Sequence, residues 1–421
     1  MFTKISVLNS INKKNFFFLI VISFFFKVLF SYFYGDYILK NEWEILYKNL
    51  VDNKILSYNY INGEAVPNLY MPILYVLFLY PFSILNLNIF YTVKTILLFQ
   101  CVLSSLSVYY FYKFCLIFFE KKKSILAALI FLFYPLNFYT SSLISSVTLQ
   151  NLLFILFLYY LHFIDKNKNY ILFAVYAALL ILIRGEFLLL YIILLLYFLF
   201  FSKYYKKVIF SFLITIIIIS PYIIRNYQIT KKITIVSSLG YNLWKGNNEK
   251  TGIDGVVADH IITKKYYEDK NNIFYSIYLE TESIKNKLFY SNQLYKYDYI
   301  IDQYYLKLAL NNIFEEPKKY FFLYLKKLFA YIFFNFDSNV KNYYNILSIM
   351  PEVLISIFSI FGVFKGLKHF NNIKFIYFIY FFYIFFIPAF SILPRYKLFI
   401  LPFLIFFSLL NFEKRFIVKK H

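Results

Sequence analysis

The chain repeatedly offers runs of mostly apolar residues long enough to cross a hydrocarbon layer, and that repetition limits what it can fold into. A layer roughly 30 Å thick takes about 20 such residues per helix. Inside it, every backbone polar group must be satisfied within the protein. An all-α, polytopic membrane helical bundle of about 10–11 spans is therefore expected. The first run, Phe16 to about Tyr34, follows a basic segment with Lys4, Lys13 and Lys14. It is longer than the apolar core of a signal peptide and has no small-residue cleavage site, which predicts a retained span with a cytoplasmic N-terminus. Further spans are expected at about 90–118, 124–138, 149–164, 170–184, 186–201, 207–224, 345–366, 373–391 and 396–412.

Charge orients these spans. The joints Glu120 to Lys123, Asp165 to Lys168, Lys203 to Lys207, Lys365 to Lys368 and Glu413 to Lys420 are short and Lys-rich, so all five are assigned to the cytoplasmic side. Segment 68–120 must then cross an odd number of times. Either the apolar run Tyr70–Leu85 lies flat or re-entrant on the outer face, or 90–118 folds as two short crossings. Pro72 and Pro81 favour the first. The same parity places two segments outside, 35–67 and 225–344. They carry five and twelve acidic residues, seventeen of the chain's 22. The chain divides accordingly into an N-terminal transmembrane module (1–224), a long outer loop (225–344) and C-terminal spans (345–421). Within the outer loop, 318–336 reads as an interfacial helix with Lys318, Lys319, Lys326 and Lys327 near lipid phosphates.

Composition excludes other classes. With 61% hydrophobic and only 16% charged residues the chain is no soluble domain. The net charge of +22 lies in flanks between spans, so it reports membrane orientation and not a nucleic-acid partner. The excess of Phe, Tyr, Ile, Lys and Asn looks like the product of an AT-rich bacterial genome, and aromatic stripes carry no weight here. An ion-coupled transporter needs ionisable groups at mid-membrane depth, and none is evident. His162, His260, His369 and His421 show no zinc spacing, and neither a Walker motif nor a dinucleotide fingerprint occurs. Cys101 and Cys115, fourteen apart on one expected helix, cannot pair with each other.

The first outer loop carries chemistry. Asp36 emerges just after the first span, and Asn41-Glu42-Trp43-Glu44 opens a helical pattern through Leu50. A carboxylate at the membrane surface can act as general base, taking the proton of an acceptor hydroxyl as it attacks a sugar anomeric carbon. The bland alternative is a set of solvated loop charges.

The order of motifs resembles the GT-C superfamily of membrane glycosyltransferases, in its dolichyl-phosphate-mannose-like and lipopolysaccharide-modifying branches. Glu42-Trp43, then Tyr47-Lys48-Asn49-Leu50 and Asn53 to Tyr58, resemble the family's first outer loop, with Tyr47, Asn53 and Lys54 replacing its small residues. Pro67 to Tyr75 looks like its P-x-x-x-x-P-x-x-Y segment. Pro221 to Tyr227 resembles P-W-x-x-R-N-Y, and Gly240 to Asn248 with Thr251-Gly252 is close to G-x-N-L-W-x-G-N-N…T-G. Pro394-Arg395-Tyr396 with Leu401-Pro402-Phe403 resembles the family's R-Y ending. The resemblance implies transfer of a sugar from a polyprenyl-phosphate-linked donor to a glycolipid, polysaccharide or protein acceptor. It also implies a bacterial inner membrane with the site facing the periplasm.

Roles follow for single residues. Glu42 is the expected base, with Asp36 as the other choice. Arg225 and Arg395, each at the outer end of a span, can fork onto the donor phosphate, or simply anchor the interface. Arg184 invites the same role, although an Arg–Glu pair with Glu186 closing a tight turn accounts for it better. Asn242, Asn247 and Asn248 suit sugar hydroxyls, with Trp244 as a stacking face; the competing reading is a turn built from Gly246 and Asn. No cofactor is required, and a divalent metal on Asp36 or Glu42 stays open. The alternative function is a lipid-linked oligosaccharide flippase or an O-antigen-type polymerase. An outward cavity between 36–44 and 225–248, with Arg395 at its lipid side, separates the transferase from a through-membrane path.

Overall fold

The structure is a computed structural model and describes residues 3–166, 168–201, 204–255, 273–335, 338 and 346–413. It is mostly helical. Among the described residues three stretches are long and apolar enough to cross a membrane: Ile89–Leu116, Tyr205–Thr230 and Ile349–Ala389. A fourth is the pair Lys121–Phe133 and Pro135–Ser141, bent by 57° where Pro135 interrupts the ladder. Six further apolar helical stretches run 10–17 residues.

The first helix, α1 (Thr3–Tyr34), packs on α4 (Ile89–Leu116). Between them lie α2 (Asn41–Asp52), strands β1 (Ser57–Ile61) and β2 (Glu64–Pro67), and α3 (Ile73–Leu79), followed by a 3-10 turn over Tyr80–Leu85. Since α4 is one continuous helix of 28 residues, the option of two short crossings falls away. The run Tyr70–Leu85 is broken as the prolines require, with Pro72 ahead of α3 and Pro81 inside the turn. The one two-stranded hairpin among the described residues is a small insertion in an otherwise helical chain. Asn62 and Gly63 both sit at positive φ (51° and 86°), the type I′ signature that closes a two-residue loop.

Helices α5 (Lys121–Phe133), α6 (Pro135–Ser141), α7 (Val147–His162), α8 (Asn169–Ile183), α9 (Phe187–Phe201) and α10 (Tyr205–Thr230) continue the bundle. Polar contacts tie their ends together: Lys123 pairs with Glu413 (2.9 Å), Lys365 donates to the Asn411 carbonyl (2.6 Å) and Lys207 to that of Asp165. Asp36 meets the α6–α7 turn and Arg184 meets Gln150. Helix α10 runs six residues past the expected boundary at 224, because Arg225 and Asn226 make bonds that continue it into the outer segment.

That segment forms a helical cap: α11 (Leu239–Gly246), α12 (Ile273–Tyr290), α13 (Tyr297–Glu315) and α14 (Pro317–Ile332). Trp244, Phe274, Ile277, Tyr305 and Ala309 make its core, and Ile61 and Val66 of the hairpin pack with Leu288 and Leu294. Three helices close the chain, α15 (Ile346–Gly366), α16 (Phe370–Phe386) and α17 (Leu401–Asn411), with α15 lying along α17.

Two buried cations correct the sequence reading. Lys327 does not face lipid phosphates: it is fully buried and donates to the Gly246 carbonyl (2.6 Å). Lys27, hidden in the run Phe24-Phe25-Phe26-Lys27, is also fully buried, donating to Ser104 and to the Asn137 carbonyl (3.4 Å). An ionisable group therefore does lie inside an apolar helix. Its amine is satisfied where the α5–α6 bend frees a carbonyl.

Candidate functional site

Two acids one turn apart on α13 build the site, since residues i and i+4 share a helix face. Asp298 accepts from the amides of Leu69 (2.8 Å) and Tyr70 (3.2 Å) and from the Asn59 side chain (2.8 Å). Asp302 accepts from the Tyr241 amide (2.9 Å) and faces those of Gly240 and Leu239, so it caps the N-terminus of α11 from outside. Burial pushes both carboxyls up, that of Asp302 to about 6, against the lowering effect of these bonds. The cap needs Gly240, because a Cβ there would fall 2.0 Å from the Asp302 carbonyl oxygen.

The two loops so held meet through aromatic rings. Tyr70 stacks on Tyr58 (5.7 Å, 15°) and meets Tyr241 edge-on (5.7 Å, 72°). Burial raises the Tyr70 phenol well above its ordinary value, followed by Tyr241, Tyr58, Glu42 and Tyr396. Of these, Glu42 is half-buried on the first turn of α2, with no hydrogen bond or ion pair among the described residues.

Tyr396 lies in the 3-10 turn Pro394–Phe399. The guanidinium of Arg184 lies 5.6 Å and that of Arg395 5.7 Å from its ring centre. Burial pushes the Tyr396 phenol up, but Arg395, Arg184 and the Lys245 ammonium outweigh it and hold it below its ordinary value, with Glu186 opposing. Arg184 is fixed by Gln150 (2.9 Å) and lies 3.7 Å from Glu186. Two guanidinium groups, from the α8–α9 turn and the 3-10 turn, thus flank one phenol, with the acid Glu186 on one of them.

The other expected site residues lie elsewhere. Asp36 is buried: one carboxylate oxygen takes Lys40 (2.7 Å), the other the Ile144 amide (2.9 Å), and its own amide donates to Ser142 (3.0 Å). It pins the end of α1 to the α6–α7 turn. Arg225 donates to the Asn68 carbonyl (2.6 Å) and to Asn226 (2.9 Å), bracing the loop that carries Tyr70; it shares no partner with Arg395 among the described residues.

Trp244 offers no stacking face, because it is 1% exposed and wedged among Tyr241, Phe274 and Tyr305. Asn247 spends its amide on the Leu243 and Ala389 carbonyls (both 2.8 Å), and Asn248 on that of Trp244 (3.0 Å) while accepting from the Lys250 amide (3.1 Å). Both close the turn after α11, so the turn reading displaces the sugar-binding one.

The sequence reading missed Lys245, Tyr70 and Tyr396 and gave Arg184 to a turn. The available signal was position: Lys245 lies between the buried Trp244 and Gly246, and Tyr396 directly follows Arg395. Among the described residues no group of three His, Cys, Asp or Glu is arranged to hold a metal ion. No protein-family model, curated protein or solved structure matches the chain.

Proposed function

We propose that the chain is a membrane glycosyltransferase of the GT-C type, polytopic with about 10–11 spans. It moves a sugar from a polyprenyl-phosphate-linked donor to a glycolipid, polysaccharide or protein acceptor on the periplasmic side of a bacterial inner membrane. The observation that carries this reading is Tyr396, whose ring is flanked by the guanidinium groups of Arg184 and Arg395, together with Tyr70, which lies within electrostatic reach of both Tyr396 and the half-buried Glu42. Glu42 takes the acceptor proton, the acceptor oxygen bonds the anomeric carbon, and the carbon–oxygen bond to phosphate breaks with its electron pair staying on the phosphate. Arg184, Lys245 and Arg395 hold that phosphate, replacing Arg225 in the role. Asp36, with both oxygens engaged, is assigned to structure.

One further feature supports a lipid-linked donor. An open groove of about 390 Å³, lined mainly by Phe322, Leu325, Phe329 and Ala330 with Lys326 and Asn335 also on its wall, runs along α14, the helix whose Tyr331 donates to the Tyr396 carbonyl (3.2 Å). The test is mass spectrometry of surface glycans in a deletion strain complemented with wild type, Glu42→Gln, Asp36→Asn or the double variant. Restoration by wild type and failure by Glu42→Gln, at equal protein levels, is expected. Full restoration by the double variant rules out a first-loop carboxylate base.

A further inference from the structure

Lys113 stands inside an aromatic cage built by the chain itself. It lies on the last turn of α4, and its ammonium sits 5.5 Å from the Tyr109 ring centre, 5.6 Å from that of Tyr110 and 5.4 Å from that of Tyr159. The cage extends across α7 onto α8: Tyr159 meets Tyr160 edge-on (5.3 Å), and Tyr160 stacks on Tyr176 (5.4 Å, 22°). Phe163, 5.1 Å from Tyr159, carries a second cation, the Lys166 ammonium, 5.2 Å from its ring centre.

What the cluster lacks is an acceptor. An ammonium has three N–H donors, and ring faces attract its charge without supplying an oxygen. Among the described residues Lys113 has no hydrogen bond and no ion pair, and the hydroxyls of the half-buried Tyr110, Tyr159, Tyr160 and Tyr176 make no hydrogen bond either. The nearest acids along the chain, Glu120 and Asp165, pair with neither lysine. A lysine that merely snorkels carries its charge past the helix end into water. Lys113 instead lies over rings on the turn before its own, facing back along α4.

We propose that this cluster binds the headgroup of an anionic phospholipid in the leaflet at this end of the bundle. Because α4 is long and apolar enough to cross a membrane, a ligand at its last turn lies at headgroup depth. Lys113 supplies the counter-charge for the phosphodiester. The tyrosine hydroxyls, which both donate and accept, suit the uncharged hydroxyls of a glycerol-type headgroup. The cage also selects against choline and ethanolamine headgroups, whose cations need the ring faces that Lys113 already occupies.

The test titrates the full chain in dodecyl maltoside with dihexanoyl phosphatidylglycerol, dihexanoyl phosphatidylcholine and glycerophosphate. Phosphatidylglycerol should bind wild type about tenfold tighter than phosphatidylcholine, the effect of about one charge-assisted bond. Lys113→Met should abolish that preference, and Tyr159→Phe, which keeps the ring against Lys113, should narrow it. Lys122→Met, which removes an exposed charge from the first turn of α5, should leave it intact. Equal binding of the two lipids by folded wild type, or equal losses in Lys122→Met and Lys113→Met, overturns the proposal. A preference unchanged in Tyr159→Phe does the same, whether or not Lys113→Met folds. Glycerophosphate binding as tightly as phosphatidylglycerol would make this a site for a soluble anion and also overturn it.

Discussion

Asp298 and Asp302 stand one turn apart on α13, and each holds a different wall of the site: Asp298 the loop of Tyr70, Asp302 the first turn of α11 that leads to Lys245. The relative placement of base and cations therefore depends on a helix that contributes no reacting group.

That dependence titrates. The Asp302 carboxyl is raised from 3.8 to about 6 in the fold, so the folded chain holds the proton more tightly than the unfolded one. Its contribution to stability is complete below pH 3.8 and is lost as pH rises through about 6. Asp302→Asn keeps an acceptor for the Tyr241 amide and removes the titration. The thermal midpoint of the wild type should fall relative to that of Asp302→Asn between about pH 4 and pH 7. Parallel curves would show that Asp302 does not titrate in this window.

Trp244 separates packing from recognition. As a core residue among Tyr241, Phe274 and Tyr305, its truncation to Ala should cost about 3–5 kcal/mol. Trp244→Phe, which keeps most of the volume, should fold and restore surface glycans in the deletion strain. A folded Trp244→Phe with no activity would return the ring to the ligand.

Lys327 makes the opposite titration to Asp302. Burial lowers its ammonium from 10.5 to about 7, and it donates to the Gly246 carbonyl and to Asn247 (3.4 Å). A depressed value contributes stability that is complete above pH 10.5 and lost as pH falls through about 7. Wild type should therefore gain stability between about pH 7 and pH 10 relative to Lys327→Met, read as the difference of their thermal midpoints. A constant difference across that range would contradict a buried, titrating Lys327.

Much of this organisation was legible in the sequence because it rests on local chemistry. The apolar runs form helices as their composition requires, and Pro72 and Pro81 break their segment as isolated prolines do. The site was legible only in part. Gly240, Trp244, Asn247 and Asn248 form a conspicuous motif, yet they serve packing against α13 and the segment around Ala389, contacts that lie some sixty to 140 positions away. Lys245, between them, was masked by its neighbours. Asn62-Gly63 carried a hairpin signal that the helical reading of the loop passed over.

The 3-10 turn that bears Arg395 and Tyr396 is anchored by a buried ion pair, Lys397 with Glu352 of α15, and Lys397 also donates to the Phe333 carbonyl at the end of α14. Both side chains are under a tenth exposed. Two charges taken out of water repay their desolvation only together, so removing one leaves the other uncompensated. Lys397→Met alone should cost about 3–5 kcal/mol, whereas Lys397→Met with Glu352→Leu replaces the pair by apolar groups and should recover most of it. Stability and decaprenyl phosphate affinity should then part company. The double variant regains its thermal midpoint but has lost the polar anchor of the turn, so Arg395 and Tyr396 are held less firmly and binding stays weaker than wild type. Wild-type affinity in a stable double variant would show that the pair only fills the core.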